Sequence, residues 1–307
     1  MKSTTKLINT PFANVFLFSF FWAISIIVSK LAFNAGAHPV TFLIQSAIVS
    51  LVLLAVYVLP QKHQELKSLP RKVFGGIVLA NAIHFGLGAF FINSGTALTS
   101  AVNVGFLSKF ATVTTIIFAW LILKEKLTKS KLISVAIMIV GVFLITTKGQ
   151  VIVPQPGDIL VLLACTSFSL GNVLMRKFLK NYAVSGELVS FLRPVSGLPI
   201  LLIFLLFSPI YPQQIQPVFN VNISNLTFLP YIIGSSLASS LLTIFLNRTL
   251  KVSSASYMSM MSMMTPVIVS AMAIILLGES MVLIQLVGAI LIILSGIATH
   301  YLKIEKQ

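Results

Sequence analysis

Lys109 interrupts the apolar run "NVGFLSKFATVTTIIFAWLIL" (103–123), His84 and Asn81 lie within "LANAIHFGLG", and Arg193 sits in "FLRPV". A cation in such a setting can bind a carboxylate or another anion. A histidine titrates near neutral pH and can couple a process to protons. Each residue also has a structural alternative. Lys109 would then bond helix carbonyls or polar groups, His84 would bond a neighbouring helix, and Arg193 would pair with Glu187 or a carbonyl at a span end. The pairing is the favoured reading for Arg193. The six acids, Glu65, Glu125, Asp158, Glu187, Glu279 and Glu305, all fall at the ends of apolar runs or between them. There is no carboxylate pair for acid–base catalysis, no His/Asp/Glu cluster with metal-ligand spacing and no G-x-x-x-x-G-K-[ST] loop. Cys165 is the sole cysteine, which excludes an intrachain disulfide and a Cys-based zinc cluster. The sequence predicts no enzyme, no cofactor, no metal and no ATP hydrolysis by this chain.

These residues need elements to hold them, and composition says which. Hydrophobic residues make up 57% of the 307 and charged residues 9%, against about 25% charged in a soluble domain. So few charges cannot keep a surface this size wet, so most of it must face the lipid bilayer. The excess of 21 Lys+Arg over 6 Asp+Glu reads as positive-inside loops and not as a nucleic-acid surface. Apolar runs of about 20 residues place ten spans at roughly 12–33, 40–59, 73–93, 100–123, 132–147, 158–175, 186–207, 227–246, 254–277 and 281–302. The lysine-bearing start lacks a small-residue cleavage site and reads as a retained first span. With the N-terminus in the cytoplasm, all Lys and Arg except Lys30, Lys109, Lys148 and Arg193 fall in cytoplasmic segments. The expectation is a multi-pass protein of the cell membrane with both termini inside.

The chain also repeats itself. A shift of 154 brings Phe91 onto Phe245, Asn93 onto Asn247, Ser100-Ala101 onto Ser254-Ala255, Ser108 onto Ser262 and Glu125 onto Glu279. A shift of 146 brings "FWAISIIVSK" (21–30) onto "SFSLGNVLMR" (167–176), with Lys30 and Arg176 in register. Five spans per half is an odd number, so the second half must be inserted upside down. The predicted fold is an all-α integral membrane protein of ten transmembrane helices in two inverted five-helix repeats, residues 1–150 and 151–307. Such repeats build many secondary transporters, with the substrate site near the midplane between the halves.

The five-plus-five repeat, the pattern Trp22…Lys30 with its partner Phe168…Arg176, the Gly157-Asp158 opening of the second half, and the junctions "LKEKLTKSKLISVAIMIVG" and "LGESMVLIQLVGAILIILSG" resemble the EamA-type family of the drug/metabolite transporter superfamily. The resemblance covers nearly the whole chain. It implies transport of a small metabolite through a central cavity lined by the first, third, fourth, sixth, eighth and ninth helices, with export as the family-level expectation. The buried first-span carboxylate of the related small multidrug-resistance exporters is missing, which argues against cation-for-proton exchange. Where the family often has Arg at the start of the second span, this chain has Gln45, and the matching position in the second half keeps Arg193.

Lys109 lies about 14 Å below the outer end of its span at 1.5 Å per residue. Exposing it to lipid there would cost at least about 2.5–3.5 kcal/mol. It borders a small and polar stripe, Ala101, Gly105, Ser108, Thr112 and Thr115, at i+3/i+4 spacing, so it should face the bundle interior. Its repeat partner is Met263 and that of His84 is Ala238, so the scaffold requires neither a cation nor an imidazole at these places. The expected substrate-binding residues are Lys109, His84, Asn81, Ser108, Thr112, Trp22, Met260 and Met263, the methionines supplying an adaptable apolar wall. Ser25, Ser29, Ser169 and Asn172 are weaker lining candidates. Pro266 is expected to bend the ninth span, and Lys30 to snorkel or touch a gate. Asn93 and Asn247 match between halves and read as scaffold bonds, whereas Asn222 and Asn225 match glycosylation acceptor patterns.

The leading expectation is a secondary transporter, an exporter, of an amino acid or other carboxylated small molecule working by alternating access as a monomer or homodimer. Anion or sugar-phosphate exchange is the alternative within transport and needs two of Lys109, Lys30 and Arg193 in one cavity. A non-transporting or enzymatic intramembrane protein is the alternative outside it.

Overall fold

The computed structural model describes residues 10–37, 39–98, 106–151, 155–206, 226–277 and 282–301. Its regular elements are all helical: α1 (Pro11–Asn34), α2 (Pro39–Ser68), α3 (Arg71–Asn81), α4 (Gly88–Leu98), α5 (Phe110–Leu123), α6 (Lys129–Thr147), α7 (Asp158–Asn181), α8 (Gly186–Leu206), α9 (Leu229–Val252), α10 (Ala255–Met261), α11 (Thr265–Leu277) and α12 (Leu283–Tyr301). Local chemistry sets several of the ends. Pro11 and Pro39 open α1 and α2, where a missing N–H costs nothing. The hydroxyl of Thr128 accepts from the Lys131 amide at α6, and that of Ser254 from the Tyr257 amide at α10.

Among the described residues, six helical stretches are long and apolar enough to cross a membrane: Pro11–Ser29, Val40–Ser68, Arg71–Ile92, Asp158–Asn181, Gly186–Leu206 and Leu229–Val252. Val52, Val56, Leu79, Ile133 and Leu294 stand open on the outer surface, while Ser46, Ser50, Ser190, Ser236, Thr243 and Thr249 are buried between helices. An apolar exterior around hydroxyl-bearing seams suits a lipid solvent, where interhelical packing relies on small residues and hydrogen bonds.

The expected fourth and ninth spans are both interrupted. Before α5, Ser108 and Lys109 form a turn, closed by i→i+3 bonds from the Lys109 amide to Phe106 and from the Thr112 amide to Lys109. Between α10 and α11, Ser262–Met264 is 3₁₀-helical. The 154-residue shift superposes these two breaks. The second lies just before Pro266, so the bend expected there falls on the residues ahead of the ring. A third irregularity has no counterpart. Ala82–Leu87 is π-helical, whereas the matching stretch of α9 is regular.

The packing repeats with the halves exchanged. α1 packs on α9 as α7 packs on α3 and α4, and α5 packs on α7 as α11 packs on α1. α6 and α12 pack on each other. At that crossing the backbones touch. A Cβ on Gly141 would lie 2.7 Å from the Gly288 carbonyl oxygen, and a Cβ on Gly288 would lie 2.6 Å from that of Gly141. The repeat mates of these glycines are Ser295 and Ser134, and Ser295 Oγ donates to the Ser134 carbonyl at 3.0 Å. One pseudo-twofold contact is thus made twice, once by glycines and once by serines. Gln285 Nε2 adds a bond to the Ile145 carbonyl at 2.9 Å.

On the face that carries most Lys and Arg, the halves are bonded to each other. Glu125 accepts from the Ala255 amide (3.0 Å) and Ser256 Oγ (2.6 Å) and pairs with Lys131 at 3.6 Å. Glu65 accepts from the Ser185 amide. Within the second half, Arg176 donates to the carbonyls of Leu250 and Lys251 at 2.6 and 2.8 Å. Glu125, Glu65 and Arg176 each thereby meet a helix end of suitable polarity.

Candidate functional site

The break before α5 leaves the Leu107 carbonyl without its helical partner, because the Ala111 amide turns to Ser108 instead, and α7 supplies donors here. Cys165 Sγ donates to the Leu107 carbonyl at 3.3 Å. Ser169 Oγ donates to Ala111 at 2.7 Å and lies 2.6 Å from Thr114 Oγ1. Thr115 Oγ1 donates to it at 2.9 Å. On the other side, Thr112 Oγ1 donates to the Ser259 carbonyl and Ser259 Oγ donates to Thr112 Oγ1, both at 3.2 Å. Hydroxyls and one thiol therefore hold the broken segment between α7 and α10.

Lys109 stands at this break. Its Nζ lies 4.6 Å from the centroid of the Trp22 ring on α1, so a ring face takes the place of a counterion. Cation–π attraction is worth about 0.5–2 kcal/mol depending on desolvation. No carboxylate or hydrogen-bond acceptor meets the ammonium among the described residues. Of the expected residues, the structure brings together Lys109, Trp22 and Ser108, with Thr112 one helical turn on.

The others have different partners. Asn81 Nδ2 donates to the Val189 carbonyl of α8 at 3.2 Å. His84 is buried against Phe168 of α7, ring centroids 5.2 Å apart. Met260 and Met263 are both 0% exposed and pack on Ile116, Val135 and Met138. Ser169 is also fully buried. Ser25 and Ser29 lie within 3.5 Å of Ser235, and Ser25 is 3.4 Å from Ser239, forming a hydroxyl seam between α1 and α9. Asn247 Nδ2 donates to Ser190 Oγ at 2.9 Å, a scaffold bond. The side chains of Asn93 and Lys30, and residues Ala101, Gly105, Asn222, Asn225, Glu279 and Glu305, lie outside the described set.

Arg193 corrects the expected pairing with Glu187. Arg248 takes that carboxylate instead, with Nε 2.8 Å and Nη2 2.7 Å from Oε1. Residues 187 and 193 are six apart, about 600° around a helix, so they sit on different faces. Arg193 turns inward, lies 4.8 Å from the Phe85 ring centroid and donates through Nη1 to Thr243 Oγ1. Glycine makes room for this arrangement. A Cβ on Gly197, one turn along α8, would run into the Phe85 ring, and one on Gly171 of α7 would run into His84. The π-helical turn of His84 and Phe85 is thus wedged between α7 and α8. Neither this turn nor the inward Arg193 has a sequence signal beyond Gly86 and Gly88 nearby.

Two stretches, 12–147 and 155–299, each match the EamA-like transporter family. The chain belongs to this family, part of the drug/metabolite transporter superfamily. No curated protein matches the sequence. A solved crystal structure described only as that of a protein is 13% identical with a TM-score of 0.77, over 95% of this chain and 96% of that one, which supports the fold alone. An EamA-like chain is a multi-pass membrane transporter.

Proposed function

We propose that this EamA-like protein is a secondary transporter that exports a small carboxylated metabolite across the cell membrane. It spans the membrane ten times with both termini in the cytoplasm, and its inverted halves rock around a midplane site. The observation that carries the reading is the Lys109 ammonium, held over Trp22 at a helix break without a carboxylate partner among the described residues. An intramembrane cation of this kind marks a substrate or ion path, and a discontinuous helix in both halves is the usual frame of such a site. A substrate carboxylate meeting Lys109 completes the charge balance, and the indole accepts an apolar part. Amino acids and organic acids both fit this description.

Counterflow in vesicles containing the purified protein tests the reading, with labelled amino acids, organic acids and cationic dyes. Lys109→Met should insert and run as a single species yet lose flux of carboxylated substrates. Undiminished flux in that variant, or transport of dyes alone, sinks the assignment.

A further inference from the structure

Lys109 is not the only cation at this level of the membrane. α1 and α9 run antiparallel, and two contacts fix their register: Ser25 with Ser239 (Oγ–Oγ 3.4 Å) and the stacked rings of Phe21 and Phe245, 5.9 Å apart. Trp22 on α1 and Thr243 on α9 lie between these two rungs. Lys109 rests on Trp22 and Arg193 donates to Thr243, so the two charged groups stand at one depth. Trp22 is eleven residues into α1, about 16 Å at 1.5 Å per residue. That is close to the middle of a hydrocarbon core about 30 Å thick.

Nothing described neutralises either charge. Glu65, Glu125, Asp158 and Glu187 are engaged at helix ends. Arg193 has five N–H donors. One is bonded to Thr243 Oγ1, while Nε is buried with no hydrogen-bond partner. Thr243 Oγ1 gives its own proton to the Ser239 carbonyl at 2.8 Å, so this hydroxyl meets the guanidinium as an acceptor. Phe85 fixes the guanidinium plane from one side. A buried Arg with a purely structural role is normally satisfied by an acid or by carbonyls, and this one is satisfied by neither. The matching place in the first half holds Gln45, as Met263 matches Lys109. Each half therefore contributes one cation that its repeat mate does without.

We propose that Arg193 is a second anion-binding residue, and that the substrate carries two anionic charges, one for Lys109 and one for Arg193. A planar guanidinium clamped by an aromatic face is built for a bidentate carboxylate or a phosphate. The inference rests on the transport reading and narrows it. A zwitterion would bring an ammonium to a level that offers it no carboxylate among the described residues, whereas a dicarboxylate or a phosphate monoester would not.

The test compares succinate with its monoamide, succinamate, and glycerol phosphate with glycerol, by counterflow and by thermal stabilisation of the purified protein. The parent should favour succinate over succinamate by about tenfold in half-saturating concentration, one charged contact being worth about that factor. The glycerol phosphate arm distinguishes a phosphate monoester from a dicarboxylate as the second anion. In Arg193→Gln the succinate-to-succinamate preference should fall to about one, and Arg193→Lys should restore part of it. A merely structural arginine would weaken both probes equally and leave the preference intact, which overturns the proposal. A parent that prefers the monoamide, or responds to no dianion, overturns it without any variant. Lys109→Met separates the two readings. If it abolishes flux while Arg193→Gln keeps the parental preference, only the second residue falls. If it changes nothing, the assignment of Lys109 to the substrate falls as well.

Discussion

The breaks before α5 and between α10 and α11 occupy equivalent places in the two halves and have opposite chemistry. At the first, Lys109 meets Trp22, the freed Leu107 carbonyl takes the Cys165 thiol, and the Ser169 hydroxyl bonds the Ala111 carbonyl. At the second, Met263 is fully buried among Ile116, Val135 and Met138. Backbone interruption is therefore a property of the scaffold. The side chain placed on it decides whether the break becomes a polar contact point or a packed joint. An inverted repeat supplies two such positions, and this chain charges only one of them.

That contrast can be broken from either side. The largest effect is expected from Met263→Lys, which would put an unpaired ammonium into the packed joint. At about 2.5–3.5 kcal/mol or more, the outcome is loss of monodisperse, membrane-inserted protein in size-exclusion profiles. Lys109→Met makes the first break resemble the second. It should lower counterflow of the carboxylated substrate about 10–100-fold, as loss of a charged contact worth about 1.5–3 kcal/mol would, without lowering thermal stability. Ser169→Ala removes the hydroxyl shared by Ala111, Thr114 and Thr115 and should destabilise by about 1–3 kcal/mol, read as an earlier thermal midpoint. If that midpoint does not move, α7 is not what holds the first break. Smallest is Trp22→Phe, which weakens the ring under Lys109 by about 0.5–1 kcal/mol and should raise the half-saturating substrate concentration two- to fivefold.

Much of this was legible in the sequence. Hydropathy marks the apolar spans, and the 154-residue shift alone marks Lys109, opposite Met263, as an asymmetric residue. Three features were not legible, for separate reasons. The turn at Ser108–Lys109 contains neither Pro nor Gly, because donors from α7, distant in sequence, satisfy it. The inward course of Arg193 depends on Phe85, which stands where it does because of a π-helical turn seated on Gly171 and Gly197. Glu187 and Arg193, six residues apart, lie on different faces of α8, and the partner that takes Glu187, Arg248, is visible only in three dimensions. Met260 and Met263 illustrate a fourth limit, since an apolar face of a membrane helix reads the same whether it lines a passage or fills a core.

The α6–α12 crossing has a consequence for the order in which the molecule is made. α6 leaves the ribosome well before α12 is synthesised, and the contacts it needs, Gly288, Ser295 and the Gln285 amide, all belong to the later helix. Until α12 is made the glycine groove of α6 has no match, so this seam cannot close before the second half is nearly complete. At this seam, completion of the second half is what supplies the partners of the first.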